Sequence, residues 1–237
     1  MDPIPVTERG YANHQLLVET SWLRKHLTDQ NVRVVDARNS EQFEAGHVPG
    51  AVNLSGFGGI PRALNGDMAD PAVFADLAGS LGISNDMTVI VYDTPSQMMG
   101  TVAWAFLYYG QADVRMLDGG FHKWLEEGHP STVDIAYYPQ ALFIPRPSEA
   151  IYCSLDHARD AFRQPNTIFW DTRSLSESRG TTSVGRQPTR LGRIPGAIHL
   201  EWTELFDPDN RTLKPAHKLH DLLISHGISP EHEINTY

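Results

Sequence analysis

Short runs of β-branched and aliphatic residues alternate along this chain with longer stretches in which apolar positions recur at helical spacing. Val32, Val34 and Val35 form one run with turn signals at both ends, as expected of a parallel strand buried on both faces. Thr88-Val89-Ile90-Val91-Tyr92-Asp93 is a second run, residues 114–117 a third, and Leu16-Leu17-Val18 a short fourth. Thr20 or Ser21 can cap a helix that places Trp22, Leu23 and Leu27 on one face. Asp70-Pro71 offers an N-cap and a proline at N1 for a helix through Val73, Phe74, Leu77 and Leu81 that stops at Gly82. A further helix is expected over 101–109, ending at Gly110, and Asp118-Gly119-Gly120-Phe121 turns into a short helix holding Trp124. Strands and helices alternating at these lengths predict an α/β fold with a parallel sheet covered by helices on both faces.

The periodicity fades from about residue 129 to 150, where Pro139, Pro145 and Pro147 fall, and this stretch reads as an interdomain linker. Then the pattern starts again. Val34-Val35-Asp36-Ala37-Arg38, an acidic helix start at Ser40-Glu41-Gln42-Phe43 and Gly46-His47-Val48-Pro49-Gly50-Ala51-Val52-Asn53-Leu54 have a second copy. That copy runs from Ile168-Phe169-Trp170-Asp171-Thr172-Arg173 to Gly192-Arg193-Ile194-Pro195-Gly196-Ala197-Ile198-His199-Leu200. Gly82-Ile83-Ser84 ahead of the 88–92 strand is matched by Gly227-Ile228-Ser229 ahead of 233–237. Helices near 155–162 and 215–226 complete the second unit. A repeat of three motifs in one order predicts two related domains, at 1–130 and 151–237, joined by 131–150. Tyr92 aligns with Tyr237, and unit one continues past Tyr92 through a loop, a helix, a strand and the Gly-Gly-Phe helix. The second domain is therefore expected to be incomplete here and the natural protein longer.

Composition narrows the partners. The 237 residues carry a formal charge of −10, which disfavours nucleic acid and anionic membrane surfaces. No apolar run approaches the roughly eighteen residues of a membrane span, and the first residues lack the basic and apolar regions of a secretory signal. A single cysteine, Cys153, cannot form an internal disulfide, in keeping with a reducing, cytoplasmic location.

The repeated stretches, with Leu117-Asp118-Gly119-Gly120-Phe121 and Trp124, resemble the rhodanese family of sulfurtransferases in its tandem-domain form. The resemblance implies two rhodanese-like domains and a cysteine nucleophile at the first position after the central strand. That cysteine heads a loop whose N–H groups point at the transferred sulfur, an arrangement that lowers a thiol pKa and holds a persulfide. In unit one the position is Asp93, which cannot accept sulfane sulfur, so this unit is expected to be catalytically silent. In unit two it is the residue after Tyr237, so no catalytic residue is expected within this sequence. The implied reaction moves sulfane sulfur from thiosulfate, or a related small anionic donor, to cyanide or a thiol acceptor. It needs no metal or organic cofactor.

The candidate substrate-binding residues are Arg179, Arg190 and Asp171. Four arginines (179, 186, 190 and 193) fall in the unit-two connection, whereas residues 40–47 of unit one have none. Guanidinium groups suit thiosulfate or a carboxylate. Arg179, in an Arg-Gly pair that matches the family, ranks first and Arg190 second. Asp171 either supports the loop or forms a wall of the site. Glu177 stands where mercaptopyruvate-type members, and some thiosulfate-type ones, carry a substrate arginine, which disfavours 3-mercaptopyruvate as donor. Cys153 lies in no strand-to-helix loop and reads as a filler. The pair His217 and His220 lacks a third placed metal ligand. Three rivals stand beside the thiosulfate reading: an inactive binding or scaffold module, a 3-mercaptopyruvate sulfurtransferase, and a fold-related phosphatase with a Cys-x5-Arg loop.

Overall fold

A computed structural model describes residues 4–63, 68–94, 98–182 and 191–237. The chain divides into two compact units, the first made of residues 1–152 and 209–212, the second of 153–208 and 213–237. Strands β1 (Leu17–Val18), β2 (Val32–Asp36), β3 (Val52–Asn53), β4 (Thr88–Tyr92) and β5 (Asp113–Leu117) form the sheet of the first unit. They are all parallel, in the order β1-β5-β4-β2-β3. Period-two alternation sorts their side chains between two apolar layers. Val35, Val89 and Val91 pack with Phe74 and Phe106 of α3 (Pro71–Ser80) and α4 (Met98–Tyr108). Val34, Ile90 and Tyr92 pack with Leu23, Phe43 and Trp124 of α1 (Thr20–His26), α2 (Ser40–Ala45) and α5 (Gly120–Glu126).

Three local details differ from the sequence reading. The N-cap of α1 is Glu19, without a side-chain cap, because the Thr20 hydroxyl is buried and bonded to Glu127. Helix α4 opens at Met98, ahead of the expected residue 101, because the carboxylate of Asp93 accepts the Met99 N–H at 2.9 Å. The stretch expected as a linker is grouped with the first unit and is anchored along it. Phe143 enters its core, Tyr138 stacks on the buried Arg33 guanidinium at 3.1 Å, and Arg146 N donates to Tyr109 O at 2.8 Å. Loss of periodicity here marks extended chain held by single anchors.

The second unit repeats one half of that plan. Strands β6 (Thr167–Asp171), β7 (Ile198–His199) and β8 (Glu233–Thr236) are parallel in the order β7-β6-β8, the counterpart of β3-β2-β4. The register is kept too: Asp36 faces Asn53, and Asp171 faces His199. Helix α6 (Leu155–Ala161) covers one face through Ala161 against Phe169 and Ala197. The last helix, α8 (Ala216–Ser225), brings Leu222 and Leu223 to Ile168, Leu200 and Ile228 on the other. The described part of the β6–β7 connection contains a short helix, α7 (Leu175–Ser178), where the sequence predicts connecting chain. Among the described residues no helix is long and apolar enough to cross a membrane.

Candidate functional site

Open parallel sheets offer ligands the carboxyl ends of their strands. In unit one those ends carry three buried carboxylates, each already engaged. Asp36 accepts from Arg38 through Nε at 2.9 Å and Nη2 at 2.6 Å, and the same guanidinium reaches the Gly46 carbonyl at 2.7 Å. The Tyr92 hydroxyl donates to Asp36 at 2.6 Å and accepts the Val48 N–H at 3.1 Å. Burial, and then the charge of Asp36, push the Tyr92 hydroxyl well above the usual tyrosine range, so it stays a donor. One clamp thus ties the end of β2 to the Gly-His-Val-Pro turn and the end of β4.

Asp93 follows β4 and is buried, its carboxylate bonded to the first turn of α4, where a helix favours negative charge. Its carbonyl accepts Phe121 N at 2.7 Å, and Gly120 (φ +59°) sits so close to that oxygen that no side chain fits. Asp118, after β5, pairs with Arg9 of the N-terminal segment at 2.7 Å with both side chains buried.

Unit two builds the same clamp from its own copy. Arg173 donates to Asp171 through Nε and Nη2, both at 2.9 Å, and to the Gly192 carbonyl at 2.9 Å. The Tyr237 hydroxyl accepts the Ile194 N–H at 3.0 Å. Burial opposes the charge of Asp171, but the hydrogen bonds and charge of Arg173 outweigh it and hold the carboxyl below its usual range. The environments differ, however. The Arg38 side chain is 6% exposed, with Phe121 stacked on it at 4.1 Å, whereas that of Arg173 is 32% exposed.

From this clamp the chain enters α7. Ser174 and Glu177 form a capping box: the Ser174 hydroxyl donates to Glu177 Oε2 at 2.7 Å, and the Ser174 N–H reaches the same oxygen at 3.3 Å. Glu177 therefore faces its own helix start. Arg179 is the C-cap, and its exposed guanidinium has no hydrogen bond or ion pair among the described residues. Gly180 (φ +74°) follows, and a Cβ there would meet Gly192 N at 2.9 Å. Only glycine fits, so the Arg-Gly pair is seated on the same Gly192 that Arg173 holds.

The clamp brings Asp171 and the backbone that carries Arg179 into one construction, with the Asp171 carboxylate turned to Arg173. Arg190, with Arg186, lies outside the described residues; Arg193 is exposed. Where unit one buries His47 between the carbonyls of Phe43 and Asp134, unit two has no such anchor at Arg193. Cys153 precedes α6, and burial followed by the charge of Glu233 pushes its thiol above the usual range. Glu233 opens β8, so Cys153 belongs to the amino edge of the sheet, away from Asp171. His217 and His220 are exposed on α8, and the described residues include no group of three or more metal-ligating side chains.

A family model described as the rhodanese-like domain matches residues 19–127. The sulfur carrier protein TtuD of Thermus thermophilus is 34% identical over 239 residues, covering 96% of this chain and 84% of that protein. The chain belongs to the rhodanese family. A thiosulfate sulfurtransferase of Corynebacterium glutamicum is 31% identical over 218 residues, 88% of this rhodanese and 72% of the relative. Among solved structures, the anaerobic ergothioneine biosynthesis enzyme of Chlorobium limicola superposes with a TM-score of 0.80. At 21% identity that likeness concerns the fold alone, and this rhodanese spans 61% of the length of that chain.

Three elements of the rhodanese edge are not singled out by the repeated motifs. The Ser174-x-x-Glu177 pattern is a capping-box signature and could have flagged α7. A tyrosine recurs as the last residue of β4 (Tyr92) and the residue after β8 (Tyr237), but its hydroxyl contacts lie away from it in sequence. His199 likewise carries no local signal. Its Nε2 lies 2.9 Å from the Arg173 carbonyl.

Proposed function

We propose that this rhodanese is the scaffold and anion-binding rim of a thiosulfate-type sulfurtransferase. On this reading unit two receives thiosulfate or a related small anion, with Arg179 and Arg190 as its cationic contacts. Asp171 acts as loop support. The transferring thiolate is assigned to the position that follows Tyr237, the counterpart of Asp93 in unit one. The thiolate attacks the outer sulfur of thiosulfate, sulfite leaves with the S–S bonding pair, and the enzyme becomes a persulfide. Cyanide or an acceptor thiolate then takes the outer sulfur, the S–S pair returns to the cysteine, and ping-pong kinetics follow. The sulfur donor and acceptor balance the electrons between them, and no further oxidant or reductant is needed. A chain whose sole cysteine is unpaired suits a reducing compartment, and we place the protein in the cytoplasm.

The observation that carries this reading is the contrast between two copies of one clamp. Among the described residues, the carboxyl-edge carboxylates of unit one (Asp36, Asp93 and Asp118) are buried and engaged, whereas in unit two the clamp leads to an exposed Arg179 with no hydrogen bond or ion pair. The thiosulfate sulfurtransferase and sulfur carrier names of the relatives agree with it. Glu177, turned into the α7 cap, offers no cation to a carboxylate donor and disfavours 3-mercaptopyruvate.

The test is a thiocyanate assay with thiosulfate and cyanide on the native protein, alongside intact mass and C-terminal sequencing. Turnover with parallel double-reciprocal lines is expected, and Arg179→Ala should raise the KM for thiosulfate roughly tenfold, the loss of one charge-assisted bond. A native protein that neither turns over nor binds thiosulfate refutes the enzyme reading. A rhodanese-fold binding module then takes its place, in line with Asp93 and the unreactive setting of Cys153.

A further inference from the structure

The two copies of the clamp differ at the residue that faces the aspartate across the β-pair. In unit one it is Asn53, whose Nδ2 donates to the carbonyls of Asp36 at 3.0 Å and Arg38 at 2.9 Å. In unit two it is His199, with Nε2 2.9 Å from the Arg173 carbonyl. A carbonyl can only accept, so Nε2 carries the proton and the tautomer is set. Neighbouring carbonyls are held as well: Asp171 O by Leu200 N at 3.2 Å and Thr172 O by Trp202 N at 2.9 Å. The Thr172 N–H in turn reaches Tyr237 O at 3.0 Å. Residues 171–173 are thus pinned from β7, from the residues after it and from the end of β8. The Arg173 carbonyl is the last pinned group before Ser174 opens α7.

We infer that His199 is a positioning residue for the anion rim: it fixes the Arg173 carbonyl and, through it, the α7 turn that presents Arg179. The assignment of Arg179 to the rim rests on the proposed function, but the pinning of α7 does not. Two observations carry the inference. The same job is done in unit one by an unrelated side chain, so it is the hydrogen bond that recurs. The bonded atom also lies directly upstream of a four-residue helix too short to hold itself.

The experiment compares His199→Ala with His199→Asn in the full chain. Amide exchange over residues 174–180 reports position, and a thiosulfate titration reports the rim. In wild type, two-bond nitrogen–proton correlations should show the Nε2–H tautomer. His199→Ala should speed exchange of the α7 amides about fivefold, the loss of one hydrogen bond, and weaken thiosulfate binding by a similar factor. His199→Asn should restore both, since Asn53 makes this contact in unit one. Wild-type exchange in the alanine variant, or failure of asparagine to rescue, overturns the inference. Should α7 loosen and recover as expected while wild type binds no thiosulfate, the positioning role stands and the rim reading of the proposed function is what fails.

Discussion

Removing the hydroxyl of Tyr92 should cost far more than removing that of Tyr237, although the two residues hold the same place in the repeat. Tyr92 is fully buried. Its hydroxyl donates to the ion-paired Asp36 at 2.6 Å and accepts the N–H of Val48, itself fully buried, at 3.1 Å. Tyr92→Phe deletes a bond to a charged acceptor, about 1.5–3 kcal/mol, and strands a buried N–H, about 1–3 kcal/mol. Because the two losses share one site they are not fully additive, and a cost of about 3 kcal/mol is expected for unit one. Tyr237 is half-buried, and water can reach Ile194 N once the hydroxyl is gone, so Tyr237→Phe should cost unit two about 1 kcal/mol. Native-state hydrogen exchange separates the units, with Val89 and Val91 amides reporting the first and Phe169 the second. A roughly hundredfold acceleration is expected at the unit-one amides in Tyr92→Phe, against roughly fivefold at Phe169 in Tyr237→Phe. Equal effects, or an acceleration under about threefold in Tyr92→Phe, would refute the claim that burial and the bond to Asp36 set the worth of the Tyr92 hydroxyl.

Further outcomes follow from paired positions and shifted groups. Gly82 (φ +69°) lies against Tyr138 of the extended stretch, while its counterpart Gly227 (φ +77°) has only Ile198 Cδ1 nearby, at 3.9 Å. Gly227→Ala should show the backbone penalty alone, about 1–2 kcal/mol, and Gly82→Ala a clearly larger loss in urea unfolding; equal losses would show that the 131–150 stretch bears no load at Gly82. The depressed carboxyl of Asp171 gives unit two a stability contribution that is complete above the unfolded value, about pH 4, and is lost as pH falls through the lower folded value. Asp171→Asn should therefore flatten the acid limb of unit-two stability below about pH 4; an unchanged limb counts against the Arg173 clamp as its source. Burial and Glu233 raise the Cys153 thiol, so disulfide-exchange reagents should modify it more slowly at pH 7 than free cysteine. Faster modification would mark it as a reactive thiol after all.

The sequence by itself determined the elements and their repetition. Buried parallel strands need apolar residues on both faces, and helices between them need an apolar stripe, so runs such as Val89–Val91 and the Asp70-Pro71 start are written locally. The Asp-x-Arg and Pro-Gly-Ala motifs, met twice, carried the resemblance to the family and singled out Asp171 as a candidate site residue. Tertiary structure alone decided what those motifs do. A residue two positions away can reveal the Arg38 partner, but the Gly46 carbonyl, the Val48 N–H and the Tyr92 hydroxyl meet only when β2, β4 and the turn before β3 are side by side. The early start of α4 has the same origin, since its first turn is bonded to Asp93, placed there by β4. So do the anchoring of residues 131–150, whose aperiodic sequence hides single contacts such as Phe143, and the link from His199 to Arg173. Periodicity records which face of an element is buried. Which partner a polar group meets there depends on chain brought in from elsewhere, and no local pattern encodes it.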